Sequence, residues 1–531
     1  MAVIEKLQII HPEMALFAAT CIVLLIGLSG RSALRSACAP LTGVALLAAA
    51  WLGLQSPGAD SELMQGMPFP GLLPYAKTLI ALIGLLILPM LAGTVDRSYE
   101  KAVERGEVYN PMRSTRGEFY AFFMLSLIGV MLCATADDLI WLFLALELTS
   151  LPTYIMVAMS TSRLRSQEAG VKYFFLGAFG AAMFLYGFAL LYGATGSTFL
   201  SEIREAMAEP GGAGPMAMLG LVMVIVGVSF KIAAVPMHFY AADVYQGAGT
   251  TVAAFLAFAP KAAGFFTLLI LLGAVGWTHG PNGDALPPEL RVILWVIAAL
   301  TMTIGNTLAL LQTSVKRILA YSSVAHSGYM LVGLIAGPGA GSIASNGLAA
   351  MLFYLLCYGV MTTGAFAAIA ALERRAADGG REEIDSIEDL RGLCRVYPLV
   401  GWSMVVCSLS LLGLPPLLGF FGKLMLFTSA ISAGEIVLVV VMGLNSAVAA
   451  FYYLRLAGYP LLEQRHDEAE SPTLTPAPGR RLAACVAAVG VVALVVFISP
   501  LQRASHEATQ LTPLPAVVEV KPASEAEVAR R

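Results

Sequence analysis

Four charged side chains stand where a lipid bilayer should exclude them: Glu147, Lys231, Lys261 and Lys423. Each lies inside a long apolar stretch, away from the nearest loop. On insertion scales a charge at the bilayer centre costs roughly 2.5–3.5 kcal/mol, so such residues are rare and usually functional. One acid and three lysines at that depth point to ion movement, with the proton as the ion. Glu147 lies in Trp141-Leu-Phe-Leu-Ala-Leu-Glu-Leu-Thr-Ser-Leu-Pro152 and has Lys231 as its natural cationic partner; the plainer reading is a helix–helix hydrogen bond. Pairing favours the protonated lysine and separation the neutral amine, so such a pair can act as a switch. Lys261 follows Pro260 near the middle of its run, beyond snorkelling reach of either surface, and a buried lysine can hold a proton transiently. Lys423 lies past Pro415 in the outer half of an interrupted span, where it reads either as a carrier or as a side chain reaching the outer face.

His326 sits in Tyr321-Ser-Ser-Val-Ala-His-Ser-Gly-Tyr329. Ser322, His326 and Tyr329 fall at i, i+4 and i+7 and share one helix face. Two readings stand: a polar stripe holding a water chain around a group that titrates near neutrality, or a core histidine bonded to a carbonyl. His238 and Asp243, just past Pro236, read first as a cap for that turn and second as a gate at the inner mouth. Tyr, Phe and Met stripes elsewhere read as helix packing, and the 51 glycines as sites of close helix approach.

The elements that must position these residues are membrane helices. The chain of 531 residues is 58% hydrophobic and only 13% charged, with a mean hydropathy of +0.77; a soluble protein would carry about 25% charged residues. A net charge of −3 offers no basic field for nucleic acid. The seven cysteines are scattered singly, and no histidine pair, CxxC, Walker loop or GxGxxG motif is present, so no metal, iron–sulfur, nucleotide or flavin cofactor is expected.

Apolar runs of about 20 residues mark spans. We read fourteen: 10–29, 36–54, 72–94, 118–136, 139–160, 170–195, 215–235, 250–276, 291–311, 318–336, 345–372, 398–432, 436–460 and 482–500. The first lacks a basic n-region and a small-residue cleavage site and reads as a retained helix. With the N-terminus outside, every inner loop carries at least two basic residues, for example Arg163 and Arg165 or Lys316 and Arg317, while the outer inter-span loops carry only Arg204 and Arg291. Basic residues concentrate on the cytoplasmic side, so both termini are expected on the outer, periplasmic side of a bacterial inner membrane. Lys77 falls near an outer edge, where it can snorkel.

Two spans look interrupted: the seventh at Ser229-Phe-Lys-Ile-Ala-Ala-Val-Pro236 and the twelfth at Ser410-Leu-Leu-Gly-Leu-Pro-Pro416. Proline removes a backbone donor and clashes with the preceding turn. Paired interruptions five spans apart suggest two inverted five-helix repeats, 118–276 and 291–460. The expected fold is therefore an all-α polytopic bundle over 1–500, followed by a weakly ordered extramembrane tail, 501–531, rich in Ala, Pro, Glu and Val.

Several segments carry a resemblance. Ser229-Phe-Lys-Ile-Ala-Ala-Val-Pro-Met-His-Phe-Tyr-Ala-Ala-Asp-Val-Tyr-Gln-Gly-Ala248, Ala259-Pro-Lys-Ala-Ala-Gly264, Lys316-Arg-Ile-Leu-Ala-Tyr-Ser-Ser-Val-Ala-His-Ser-Gly-Tyr329 and Gly413-Leu-Pro-Pro-Leu-Leu-Gly-Phe-Phe-Gly-Lys423 resemble the antiporter-like subunits of respiratory complex I, the NADH:quinone oxidoreductase. Leu148-Thr-Ser-Leu-Pro-Thr-Tyr154, Lys172-Tyr-Phe-Phe-Leu-Gly-Ala178 and the lysine at 423 are similar to the N-type branch; the M-type sister has a glutamate at the last position. The resemblance implies that Glu147 and Lys231 form a modulating ion pair, that Lys261 is the central proton carrier, that Lys423 is the carrier near the outward exit and that His326 lies on the hydrated axis between them. It also implies M-type and K-type membrane-arm partners, coupling to electron transfer from NADH to quinone in other subunits, and no redox centre in this chain. Subunits of cation/proton antiporters and of energy-converting hydrogenases share the pattern and remain alternatives. The sequence departs from the family at Ala242 and Gly249, where prolines are usual, and their loss is expected to loosen the inner turn.

Overall fold

In hydrocarbon every backbone polar group must be satisfied within its own segment, so apolar runs of this length fold as helices. The computed structural model describes residues 7–64, 67–160, 164–208, 214–279, 285–375, 381–464 and 472–512. Its principal helices are α1 (His11–Gly27), α2 (Cys38–Leu54), α3 (Leu72–Leu91), α4 (Arg116–Ala134), α5 (Leu139–Met159), α6 (Leu164–Thr195), α7 (Gly214–Lys231), α8 (Ala241–Gly247), α9 (Thr250–Val275), α10 (Pro288–Leu310), α11 (Val315–Ala336), α12 (Gly347–Ala370), α13 (Pro398–Leu412), α14 (Leu418–Ser432), α15 (Ile436–Leu462), α16 (Pro478–Ala493) and α17 (Ile498–Ala508). Among the described residues, twelve helices are long and apolar enough to cross a membrane. The two other expected spans are shorter: α1 has 17 residues, and the twelfth span is two 15-residue halves, α13 and α14.

Three features differ from the sequence reading. A small antiparallel sheet, ordered β2-β1-β3, joins β1 (Leu372–Arg375), β2 (Arg381–Glu383) and β3 (Thr473–Leu474), two loops that the sequence leaves featureless. Charged strands that pair outside the apolar core leave no hydropathy signal. The expected tail begins inside helix, because α16 continues through one tight turn into α17 as far as Ala508; 513–531 lie outside the described residues. Lys77 does not snorkel. It is fully buried, with its Nζ 2.8 Å from Glu13 Oε1 and donating to the Ile9 carbonyl, because α1 brings an acid across to α3.

The core sits on α9, α11 and α12, whose apolar windows are almost wholly enclosed, whereas α6, α15 and α16–α17 keep most of theirs at the periphery. At both interruptions, backbone groups freed from the helix find side-chain partners. Beyond α7, Ala233 takes a left-handed φ of 54°; the Phe230 carbonyl accepts from Tyr240 Oη at 2.8 Å, the Ile232 carbonyl from Ser327 Oγ, and Val235 N–H donates to Thr301 Oγ1 at 2.9 Å. Between α13 and α14, Gly413 takes φ 93°, a conformation glycine adopts without steric cost, and Gly419 N–H donates to Ser410 Oγ at 3.0 Å.

Candidate functional site

α5 and α7 present the first pair. Lys231, the last residue of α7, is 3% exposed. Its Nζ lies 3.4 Å from Glu147 Oε1 of the half-buried Glu147, donates to the Leu146 carbonyl at 3.3 Å and to Ser150 Oγ, and lies 5.6 Å from the centre of the Phe184 ring. The expected partnership is therefore present, with two further acceptors, the Leu146 carbonyl and Ser150 Oγ.

α9 passes directly beside this pair. A Cβ at Gly264 would stand 3.2 Å from Lys231 Cβ and 2.5 Å from Ile232 Cγ2, so the close approach requires glycine there. One turn earlier on α9, Lys261 is 2% exposed; its Nζ donates to the Ser323 carbonyl of α11 and lies 4.6 Å from the centre of the Tyr358 ring. The same Tyr358 ring lies 5.1 Å from the imidazole of His326, which is 1% exposed.

His326 is held between two phenols. Nδ1 lies 2.7 Å from Tyr354 Oη and Nε2 lies 2.7 Å from Tyr453 Oη, and Tyr453 Oη also bonds Ser322 Oγ. The core-histidine alternative, a bond to a carbonyl, is not what this ring makes. Tyr329, 5.8 Å from the His326 ring, leads on to Lys423, whose Nζ lies 5.1 Å from the Tyr329 ring centre. Lys423 is 5% exposed and does not reach the outer face; its ammonium turns back across the interruption and donates to the Leu412 carbonyl at the end of α13, at 2.8 Å. Beyond Tyr329 Oη, the polar groups continue through Asn306 at 3.2 Å to Tyr452 at 2.9 Å and Asn445 at 3.3 Å.

All five candidate residues thus fall on one chain of contacts: Glu147, Lys231, the α9 segment with Lys261, Tyr358, His326, Tyr329 and Lys423. Sequence reasoning places Tyr329 on the His326 face but misses Tyr354, Tyr358 and Tyr453, read as packing. Tyr354 and Tyr358 stand at i and i+4 on α12, and that shared face was the available signal. His238 and Asp243 stay off the chain. The His238 carbonyl accepts Ala241 N–H at 3.0 Å, starting α8, and its Nδ1 has no hydrogen-bond partner among the described residues. Asp243 accepts from Arg317 Nη1 at 2.8 Å and lies 3.5 Å from Lys172 Nζ, tying α8 to α11 and α6. Among the described residues no group of three His, Cys, Asp or Glu could hold a metal.

Residues 136–449 match the family described as NADH:quinone oxidoreductase/Mrp antiporter, TM. The chain belongs to this family. NADH-quinone oxidoreductase subunit N of Trichlorobacter lovleyi is 39% identical over 396 residues, covering 74% of this chain and 77% of that one. Subunit N of Mycobacterium tuberculosis is 41% identical over 418 residues, covering 78% and 73%. Among solved structures, a chain of respiratory complex I from Thermus thermophilus superposes with a TM-score of 0.72 at 32% identity, over 93% of this chain and 98% of that one. The antiporter-like, multi-span fold and the subunit-N relationship expected from the motifs are therefore in place.

Proposed function

We propose that this chain is a proton-translocating membrane-arm subunit of an NADH:quinone oxidoreductase. Protons would pass along the buried Glu147–Lys231–Lys261–His326–Lys423 chain, driven by electron transfer from NADH to quinone in other subunits. The observation that carries this reading is the enclosed series of three ammonium groups and an imidazole with a carboxylate at one end: Lys231 pairs with Glu147 and packs against α9 at Gly264, one turn from Lys261, Tyr358 stands between Lys261 and His326, and Tyr329 stands between His326 and Lys423. Lys261 and Lys423 rest on backbone carbonyls and ring faces, acceptors that hold an ammonium without a compensating full charge. Such a group can release its proton, which an arginine cannot. The chain itself supplies no redox chemistry and requires no cofactor in this reading. M-type and K-type membrane-arm subunits are its partners, in a bacterial inner membrane with both termini outside, and the two interrupted helices belong to inverted repeats.

The test uses the assembled complex in inverted vesicles. Lys231→Ala and Lys261→Ala should each leave assembly intact and lower the protons moved per electron, and Lys261→Arg should fail equally. A wild-type ratio in assembled Lys261→Ala complexes refutes the carrier role. Because the matched family also includes Mrp antiporters, a second reading is a cation/proton antiporter subunit. Sodium-dependent proton flux with no response to NADH would select it.

A further inference from the structure

Where α8 gives way to α9, successive residues are held by different elements. The Ala248 carbonyl accepts from Lys316 Nζ, on the first turn of α11, at 3.0 Å. Gly249 N–H donates to Ser160 Oγ, at the C-terminal end of α5, at 2.9 Å. Thr250 gives its N–H to both carboxylate oxygens of Glu383 in β2, at 3.1 and 3.0 Å, and its Oγ1 to Oε2 at 2.7 Å. Lys316 closes the node onto Glu383 at 2.6 Å.

Glu383 thus caps the N-terminus of a helix that is buried from Thr250 to Ala274. The first N–H groups of a helix lack internal partners and carry partial positive charge, and here an anion meets them. Burial alone would push the Glu383 carboxyl up; the Lys316 charge, with hydrogen bonds from Lys316 and Thr250, outweighs burial and holds it down to about 2. The cap is therefore ionised at any physiological pH. The node lines a polar cleft of about 420 Å³ that also exposes Arg165 and Asp385. Gly249, one of the two departures expected to loosen this turn, keeps φ at −59°, within the range that proline imposes, and makes a bond to Ser160 that proline could not make.

The helices that meet here carry Glu147 (α5), Lys261 (α9) and His326 (α11). We propose that Glu383 is a positioning residue and that its node with Lys316, Thr250, Gly249 and Ser160 is a fixed strut, closed throughout turnover, that keeps Lys261 in register with Glu147 and His326. The inference rests on the proton-relay reading above. It assigns the inner ends of these helices to the immobile part of the machine and leaves the rearrangement to the side chains at membrane depth.

The test uses the whole complex. Glu383→Gln is expected to leave NADH:quinone turnover in place and to remove this subunit's share of the protons moved per electron, and Glu383→Asp to recover part of it. A Ser160→Cys/Gly249→Cys pair should cross-link after a shift of a few tenths of an ångström, since a Cβ at 249 falls 3.3 Å from Ser160 Cβ, just short of the usual disulfide spacing of about 3.5–4.5 Å. The oxidised pair should pump as well as the reduced one. A wild-type ratio in Glu383→Gln, or an Asp variant no better than the Gln variant, overturns the positioning role. An oxidised pair that stops pumping while its reduced form pumps overturns the strut and makes the node a moving gate. Lys261→Ala, run alongside, separates the two readings: a normal ratio there refutes the relay itself, whatever the strut variants do.

Discussion

The two phenols that hold His326 are not equivalent, and their difference gives a graded prediction. A neutral imidazole has one donor and one acceptor nitrogen, so one of Tyr354 and Tyr453 accepts from the ring while the other donates to it; an imidazolium donates to both. Taking up a proton therefore requires one hydroxyl to turn away from the ring. Tyr453 has somewhere to turn, because Ser322 Oγ lies on its other side. Tyr354 Oη makes its hydrogen bond to His326 Nδ1 at 2.7 Å. Side-chain hydrogen bonds between membrane helices average about 0.6 kcal/mol, with a maximum near 1.7. Tyr453→Phe deletes two such bonds, about 1.2 kcal/mol, and Tyr354→Phe deletes one, about 0.6 kcal/mol. Since about 1.4 kcal/mol is tenfold, the equilibrium that holds the α11–α12–α15 hydrogen-bonded cluster in its relay arrangement should shift against it roughly sevenfold in the first variant and threefold in the second. Ser322→Ala should resemble a mild Tyr453→Phe. The assay is protons moved per electron in reconstituted complex, with assembly checked on native gels. Equal effects of the two Phe substitutions, or a larger loss from Tyr354→Phe, would refute the reasoning.

Two further outcomes follow from the ion pairs. Lys77→Met leaves Glu13 buried without its partner and should lower the stability of the solubilised complex by about 3–5 kcal/mol, whereas Glu13→Leu with Lys77→Met should recover most of that; thermal unfolding checks both, and unimpaired stability in the single variant refutes the buried pair. Glu147→Gln keeps the Ser150 and Leu146 contacts of Lys231, so it should reduce pumping less than Lys231→Ala, and a larger reduction in proton-to-electron ratio would show that the carboxylate does more than tune the lysine.

Much of this was legible in the sequence because the bilayer imposes stringent local rules. A run of apolar residues in hydrocarbon has no alternative to helix, so the spans declared themselves, and prolines at 236 and 415–416 marked the interruptions where the chain does break. A charge in such a run stands out because its cost is so large, which is why Lys231, Lys261 and Lys423 are each legible singly. What the sequence hid is long-range or chemically ambiguous. Lys77 reads as a snorkelling side chain because its partner, Glu13, lies on a different helix. Tyr354, Tyr358 and Tyr453 sit in apolar runs, where a phenol counts as a packing aromatic until a histidine is seen against its hydroxyl. The strands around 372–383 carry too little apolar character to register at all.

The acceptors of the three lysines also locate where an outside signal can act. Lys423 faces the end carbonyl of a half-helix and Lys261 a mid-helix carbonyl, both parts of the backbone and fixed in place. Lys231 faces Glu147, a full negative charge on a rotatable side chain that is itself half-buried. Moving a carbonyl means moving a helix, whereas moving Glu147 needs only a rotamer change, of the kind that exposed side chains make in picoseconds to nanoseconds. If protons travel along this chain, their passage is gated at the Glu147 end, because only there can the counter-charge change without repacking the core. A neighbouring charge that drew Glu147 from Lys231 would alter the first carrier and leave the geometry of the other two untouched.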